Sequence, residues 1–237
     1  MSEIEVPLAG GFITQGVVRV GNTVRRPLKP NAGFVHVLLL HLESAGFTAA
    51  PRFLGIDAQG REILSFIEGD VPPNLKEWTD AQLVAAAKLI CSFHDATLNF
   101  DGKGDAEVAC HGDLSPCNTV FVDGVPAAFI DFDAAKPGRR EDDLGYAAWL
   151  WLDVGNNDLS VGHVGRRLAL FGAAYGDRDV HGMVDIVKAA QRALLAGLAP
   201  GGGNNDHLRR AAVWAGNCLR WTEANEPALL ETIRKSA

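Results

Sequence analysis

The sequence predicts an α+β fold: a small antiparallel sheet with one helix comes first, and a mainly helical remainder follows. Three observations carry this expectation. The dipeptides Gly21-Asn22 and Asp123-Gly124 each stand between short runs rich in β-branched or apolar residues, the pattern of two-residue hairpins. Val35 to Ala45 has the apolar spacing of a helix and stops at Gly46. From Trp149 onward the chain reads as helices over roughly Leu144–Leu152, Leu159–Tyr175, Val180–Leu198 and His207–Lys235, with a break expected near Pro227.

Taken in order, Val17–Val20 and Thr23–Arg26 form the first predicted hairpin, with the alternation of a half-buried sheet. Gly10, Gly11 and Gly16 bracket the loop before it, where backbone N–H groups suit phosphates, although glycine in such a loop is also ordinary turn chemistry. Pro51–Asp57 and Glu62–Ile67 read as two more strands around a turn at Asp57 to Gly60. Gly69 to Asn74, with Pro72 and Pro73, reads as a linker, which divides the chain into 1–68 and 69–237. The next helix starts near Thr79 or Asp80 and places Leu83, Ala86, Ala87, Ile90, Cys91 and His94 on one face. A Lys136-Pro137-Gly138 turn precedes another helix opened by Asp142-Asp143, and three glycines between Pro200 and Asn205 mark a connection.

A chain of 237 residues that is 47% hydrophobic can bury a substantial core. Its net charge of −7 argues against a nucleic-acid partner, which calls for basic surface, and is compatible with a cationic small molecule. Cys91, Cys110, Cys117 and Cys218 include no CxxC pair and follow no secretory signal, so reduced thiols in a cytoplasm are expected. No apolar run approaches the ~20 residues of a membrane span, so no membrane partner is expected.

The densest chemistry lies from Cys110 to Asp133. Thr119–Val122 and Val125–Ile130 flank the Asp123-Gly124 turn, so the hairpin's open end brings Asn118 close to Asp131. Two oxygen-bearing side chains on adjacent strand ends can hold a hard divalent cation such as Mg²⁺. Asp113, on the loop leading in, is placed to orient a hydroxyl and accept its proton. Taken one at a time, His111 reads as a core histidine, Asp113 and Asn118 as turn residues, and Asp131 and Asp133 as helix caps. Turn chemistry requires none of their joint spacing.

His111-Gly112-Asp113 followed by Asn118 has the spacing of a eukaryotic-type kinase catalytic loop, with Gly after the His in place of Arg. With Ile130-Asp131-Phe132-Asp133 it resembles the aminoglycoside phosphotransferase family, whose protein-kinase-like fold is shared by choline, homoserine and fructosamine kinases. The resemblance implies two lobes. Residues 1–68 would be a nucleotide-covering N-lobe, and 69–237 a mainly helical C-lobe carrying catalysis and the substrate.

It further implies ATP and Mg²⁺ as cofactors, with Asp113 as catalytic residue and Asn118 and Asp131 as metal ligands. His111, Asp133, Asp143 and His36 are cast as supporting residues. A strand Lys or Arg is implied at the nucleotide phosphates, and the register before Pro27 favours Arg25 over Arg26. Phe66 and Ile67, at the expected hinge, would lie against the adenine. Kinase-like folds carry a Glu on the first helix to pair with the strand cation; here Val35 and His36 occupy that region, and Glu43 lies near the far end. The acceptor would be a hydroxyl of a small molecule, an aminoglycoside among the candidates, with Asp153, Asp158, Asp185, Glu223 and Glu226 available for ammonium groups. Trp149, Trp151, Trp214 and Trp221 are read as core rather than as sugar platforms. A relative that binds nucleotide or small molecule without turnover is the competing reading, and a metal-dependent hydrolase a distant third.

Overall fold

The structure, a computed structural model, describes residues 4–8, 16–176, 182–198 and 206–236. Gly10, Gly11, the predicted helix start at Val180 and the glycine-rich connection lie outside these residues. The chain forms two compact units: Met1–Asn74 with Ser92–Asp113 and Cys117–Arg139, and Leu75–Cys91 with Leu114–Pro116 and Arg140–Ala237.

The first unit contains an antiparallel five-stranded sheet made of β1 (Val6–Pro7), β2 (Val18–Val20), β3 (Thr23–Pro27), β4 (Phe53–Ile56) and β5 (Arg61–Ser65), in the order β1-β2-β3-β5-β4. The turn between β4 and β5 is built by Asp57, whose Oδ1 accepts the N–H groups of Gln59 and Arg61 at 2.8 and 2.9 Å. Helix α1 (Ala32–Ser44) buries Val35, Leu38, Leu39 and Leu42, the i, i+3, i+4, i+7 stripe that its sequence announced. Helix α2 (Asp80–Thr97) opens with a capping box: Gln82 N–H donates to Thr79 Oγ1 at 3.3 Å, and Thr79 N–H donates to Gln82 Oε1 at 3.0 Å.

Two further ladders follow in this unit. Strands β7 (Thr119–Val122) and β8 (Val125–Phe129) form the expected hairpin, with both turn residues left-handed, Asp123 at φ 50° and Gly124 at φ 76°. Around it, β6 (Val108–Cys110) pairs antiparallel with β9 (Lys136–Gly138). The ladders thereby fix two loops, residues 111–118 between β6 and β7 and residues 130–135 between β8 and β9. Phe93 of α2 packs behind them, with ring centroids 6.3 Å from Phe129 and 5.9 Å from Phe132.

The second unit is helical: α3 (Arg140–Trp151), α4 (Val161–Tyr175), α5 (Met183–Gly197) and α6 (Asp206–Ser236). Helix α5 packs on α3 and α6, and α4 packs on α6. At Gly145 the approach is so close that a Cβ would stand 2.3 Å from the Ile186 carbonyl oxygen. The break expected at Pro227 does not occur, and α6 runs through it. An interior proline costs about 3 kcal/mol, and burial of Leu229 and Ile233 just beyond it offsets that cost. Trp149 and Trp151 are core residues; Trp214 stacks on Trp149 at 4.6 Å while remaining partly exposed, and Trp221 is half-buried. Trp151 Nε1 donates to the carbonyl of Leu114 at 3.1 Å.

Several acids of this unit already have partners within it. Asp185 and Glu226 hold the Lys188 ammonium at 2.8 and 2.6 Å, Glu223 holds Arg192 at 2.5 Å, and Asp153 accepts from Asn156 at 2.7 Å. No helix among the described residues is long and apolar enough to cross a membrane. All four cysteines are free thiols.

Candidate active site

The loop after β6 is rigid by construction. His111 is fully buried and donates from Nε2 to the Ile130 carbonyl at 3.1 Å, which leaves Nδ1 to accept the N–H of Asp113 at 3.3 Å. The same imidazole therefore ties the 111–118 loop to the 130–135 loop. Gly112 has φ 82°, and a Cβ there would lie 2.4 Å from the Ala134 carbonyl oxygen. Position 112 thus requires glycine twice over, for its left-handed backbone and for lack of space. We expect Gly112→Ala to destabilise the fold by about 1–3 kcal/mol, read by urea unfolding; an unchanged midpoint would show that the two loops are free to separate.

Asn118 closes the frame. Its Nδ2 donates to the Asp113 carbonyl at 3.2 Å, and its own carbonyl accepts the Ile130 N–H at 2.9 Å, next to Asp131. The structure so brings Asp113, Asn118 and Asp131 into one bonded framework, with His111 as its strut. Asp131 adopts left-handed backbone at φ 65°, an unusual conformation for a residue with a side chain, and its carboxylate is 46% exposed.

Of the two β3 arginines, it is Arg26 and not the expected Arg25 that the structure brings to Asp131 and Asp133. Arg26 pairs in register with Glu62 on β5 and shares its buried face, whereas Arg25 pairs with Ile63 on the opposite face and its guanidinium lies 4.0 Å from Asp57. The Arg26 guanidinium donates from Nε to Glu62 Oε1 at 2.6 Å, from Nη1 to Asp131 Oδ1 at 3.0 Å and from Nη2 to Asp133 Oδ1 at 2.6 Å. Burial opposes its charge, but Glu62, Asp133 and Asp131 outweigh burial and raise its pKa. Burial raises the Asp133 carboxyl above the usual range, with the Asp131 charge acting in the same sense and Arg26 against it.

This constellation is accompanied by agreement with known proteins. Residues 32–183 match the family model APH, described as the phosphotransferase enzyme family. The chain belongs to that family. The trifolitoxin immunity protein of Rhizobium leguminosarum bv. trifolii is 31% identical over 92% of this chain and 94% of its own length. Among solved structures, a choline/ethanolamine kinase family protein from Mesorhizobium loti aligns with TM-score 0.54 at 17% identity, over 95% of this chain and 91% of that one. The streptomycin–ATP–APH(2″)-IIa ternary complex aligns with TM-score 0.59 at 11% identity, over 92% of each chain. The phosphotransferase therefore has the kinase-like fold that its motifs suggested.

Other expected members of the phosphotransferase site are placed as follows. His36 meets neither Arg26 nor the 130–135 loop directly; its Nε2 donates to Glu62 Oε2 at 2.8 Å. Phe66 donates its N–H to the Asn22 carbonyl at 2.9 Å, and the Arg19 guanidinium lies 3.7 Å over its ring, so this residue is engaged within the sheet. Ile67 is half-buried. Asp143 is buried in the first turn of α3, in the second unit. Cys117, beside Asn118, has its thiol pKa raised by burial and by the Asp113 charge, which disfavours a reactive thiolate.

Glu62, which holds both Arg26 and His36, is the neighbour of the site that motif reading missed. Its signal was an acid at the cross-strand position from Arg26, visible only once β3 and β5 are paired in register. Asn31 is a second such residue: its Nδ2 donates to the Ala135 carbonyl at 2.7 Å, pinning the loop that carries Asp131 and Asp133.

The donors fit a hard divalent cation. Three carboxylates converge on one guanidinium, so negative charge remains in excess at the half-exposed Asp131. The amide oxygen of Asn118 is the one atom of that side chain able to ligate such an ion, since Nδ2 donates to Asp113. Among the described residues no cluster of three or more His, Cys, Asp and Glu side chains forms a metal cage. Mg²⁺ bound here would complete its shell with water and phosphate oxygens, its usual habit at phosphoryl-transfer sites.

Proposed function

We propose that this phosphotransferase moves the γ-phosphate of ATP to a hydroxyl of a small molecule, with Mg²⁺ held by Asn118 and Asp131. The observation that carries the reading is the bonded frame joining Asp113, Asn118 and Asp131, with Arg26 fixed over Asp131 and Asp133. Asp113 orients the acceptor hydroxyl and takes its proton. Arg26 offers a two-pronged edge to phosphate oxygens. Mg²⁺, when bound, neutralises charge on those oxygens. Phosphoryl transfer asks mainly for positioning and charge stabilisation, which a rigid frame supplies. In this reading residues 1–68 cover the nucleotide, with Ile67 near the base, while the larger C-terminal part binds the acceptor.

ATP as donor is supported by the ATP held in the APH(2″)-IIa complex. The immunity protein at 31% identity favours a toxin or antibiotic as the acceptor. Of the helical acids considered for ammonium groups, Asp185, Glu223 and Glu226 are taken by Lys188 and Arg192, so the acceptor's positive charge does not follow from them. Binding without turnover is favoured by one observation, that Arg26 already occupies the Asp131 and Asp133 carboxylates. ADP release with Mg²⁺ across aminoglycosides and small alcohols separates the two readings. Acceptor-dependent release is expected; nucleotide binding with no release for any acceptor supports binding alone, and no nucleotide binding removes the kinase reading.

A further inference from the structure

We infer that Glu62 and His36 are positioning residues for Arg26, fixing its guanidinium so that the outer fork addresses nucleotide phosphate; this rests on the kinase reading above. Glu62 is 1% exposed, and a carboxylate is buried to that degree only when its charge and hydrogen bonds are met. Both of its oxygens are engaged from different elements. Oε1 receives Arg26 Nε at 2.6 Å across the β3–β5 ladder, and Oε2 receives His36 Nε2 from α1 at 2.8 Å. The imidazole is itself held flat on Phe53 of β4, with centroids 3.8 Å apart and planes 14° off parallel.

The consequence for Arg26 is directional. A guanidinium gripped at Nε cannot turn about its long axis without breaking that bond, so Nη1 and Nη2 stay pointed at the 130–135 loop. That edge is taken by Asp131 and Asp133 in this structure, so a phosphate would meet it bidentately only by replacing or sharing these two hydrogen bonds. Where the family resemblance places one helix Glu against a strand cation, this chain divides the work between a strand and a helix. Glu62 comes from the strand beside Arg26, and the helix contributes His36, which holds Glu62 rather than the cation.

The test is equilibrium binding of fluorescent ADP and fluorescent adenosine, each with Mg²⁺, to the full chain. Glu62→Gln keeps the side-chain shape and removes the charge. His36→Phe keeps a ring over Phe53 and removes the donor, and it carries the same test if Glu62→Gln fails to fold. Loss of a charge-assisted hydrogen bond should weaken ADP binding about tenfold, with adenosine binding unchanged, because Arg26 addresses the phosphates and not the nucleoside. A general loosening of the site would weaken both ligands together. If wild type binds ADP and the folded variants keep its ADP-to-adenosine affinity ratio, or lose both ligands in parallel, the inference is overturned and the kinase reading stands. If wild type binds no ADP, the kinase reading itself falls and takes this inference with it.

Discussion

Asp113→Asn is expected to lower acceptor-dependent turnover by about 10²–10⁴-fold, the usual contribution of a positioned general base. The exchange is nearly isosteric, and the main chain at this position makes two of the bonds that hold the loop. The Asp113 N–H goes to His111 Nδ1 at 3.3 Å, and the Asp113 carbonyl accepts from Asn118 at 3.2 Å. The loop should keep its shape while the side chain loses the ability to accept a proton. The loss should therefore appear in kcat, with the affinity for ADP within about twofold of wild type, since a missing base withdraws transition-state stabilisation and leaves ground-state binding alone. Steady-state ADP release at saturating acceptor measures it. Turnover within threefold of wild type would remove Asp113 from the chemistry.

Arg26→Met should produce the largest loss of stability, about 3–5 kcal/mol, the cost of leaving a buried charge without its partner. Glu62, 1% exposed, keeps only its bond from His36, and the half-buried Asp133 is deprived of its 2.6 Å ion pair in the same step. Replacing Glu62 as well, in Arg26→Met/Glu62→Leu, removes the uncompensated charge, and more than half of the lost stability should return. Urea unfolding of the two single variants and the double variant gives the coupling directly. Strict additivity would mean that the two side chains do not depend on one another. The double variant should still bind nucleotide poorly, because the phosphate-facing fork is gone.

The parts of this protein that were legible in the sequence are those set by neighbours in the chain. The Asp123-Gly124 turn needed only its two residues, and the stripe of α1 only its own periodicity. The frame of Asp113, Asn118 and Asp131 was readable because one hairpin brings its members together. Which of Arg25 and Arg26 meets Asp131 and Asp133 was not legible, because strand alternation says that neighbours face opposite ways but not which way is inward. That is decided by β5, which sets Glu62 opposite Arg26. Glu62 itself was illegible because an acid in a strand reads as solvent-facing until its partner is known. Pro227 misled for a related reason: propensity is local, and burial of Leu229 and Ile233 is not.

The span of the Arg26 contacts also orders their appearance in time. Arg26 and Glu62 are 36 residues apart, whereas Asp131 and Asp133 lie 105 and 107 residues beyond Arg26. At a synthesis rate of ~5–20 residues per second, roughly 3–14 s separate the translation of Glu62 from that of Asp131. Both members of the Arg26–Glu62 pair are therefore in the chain well before Asp131 and Asp133, the acids that complete the guanidinium's shell.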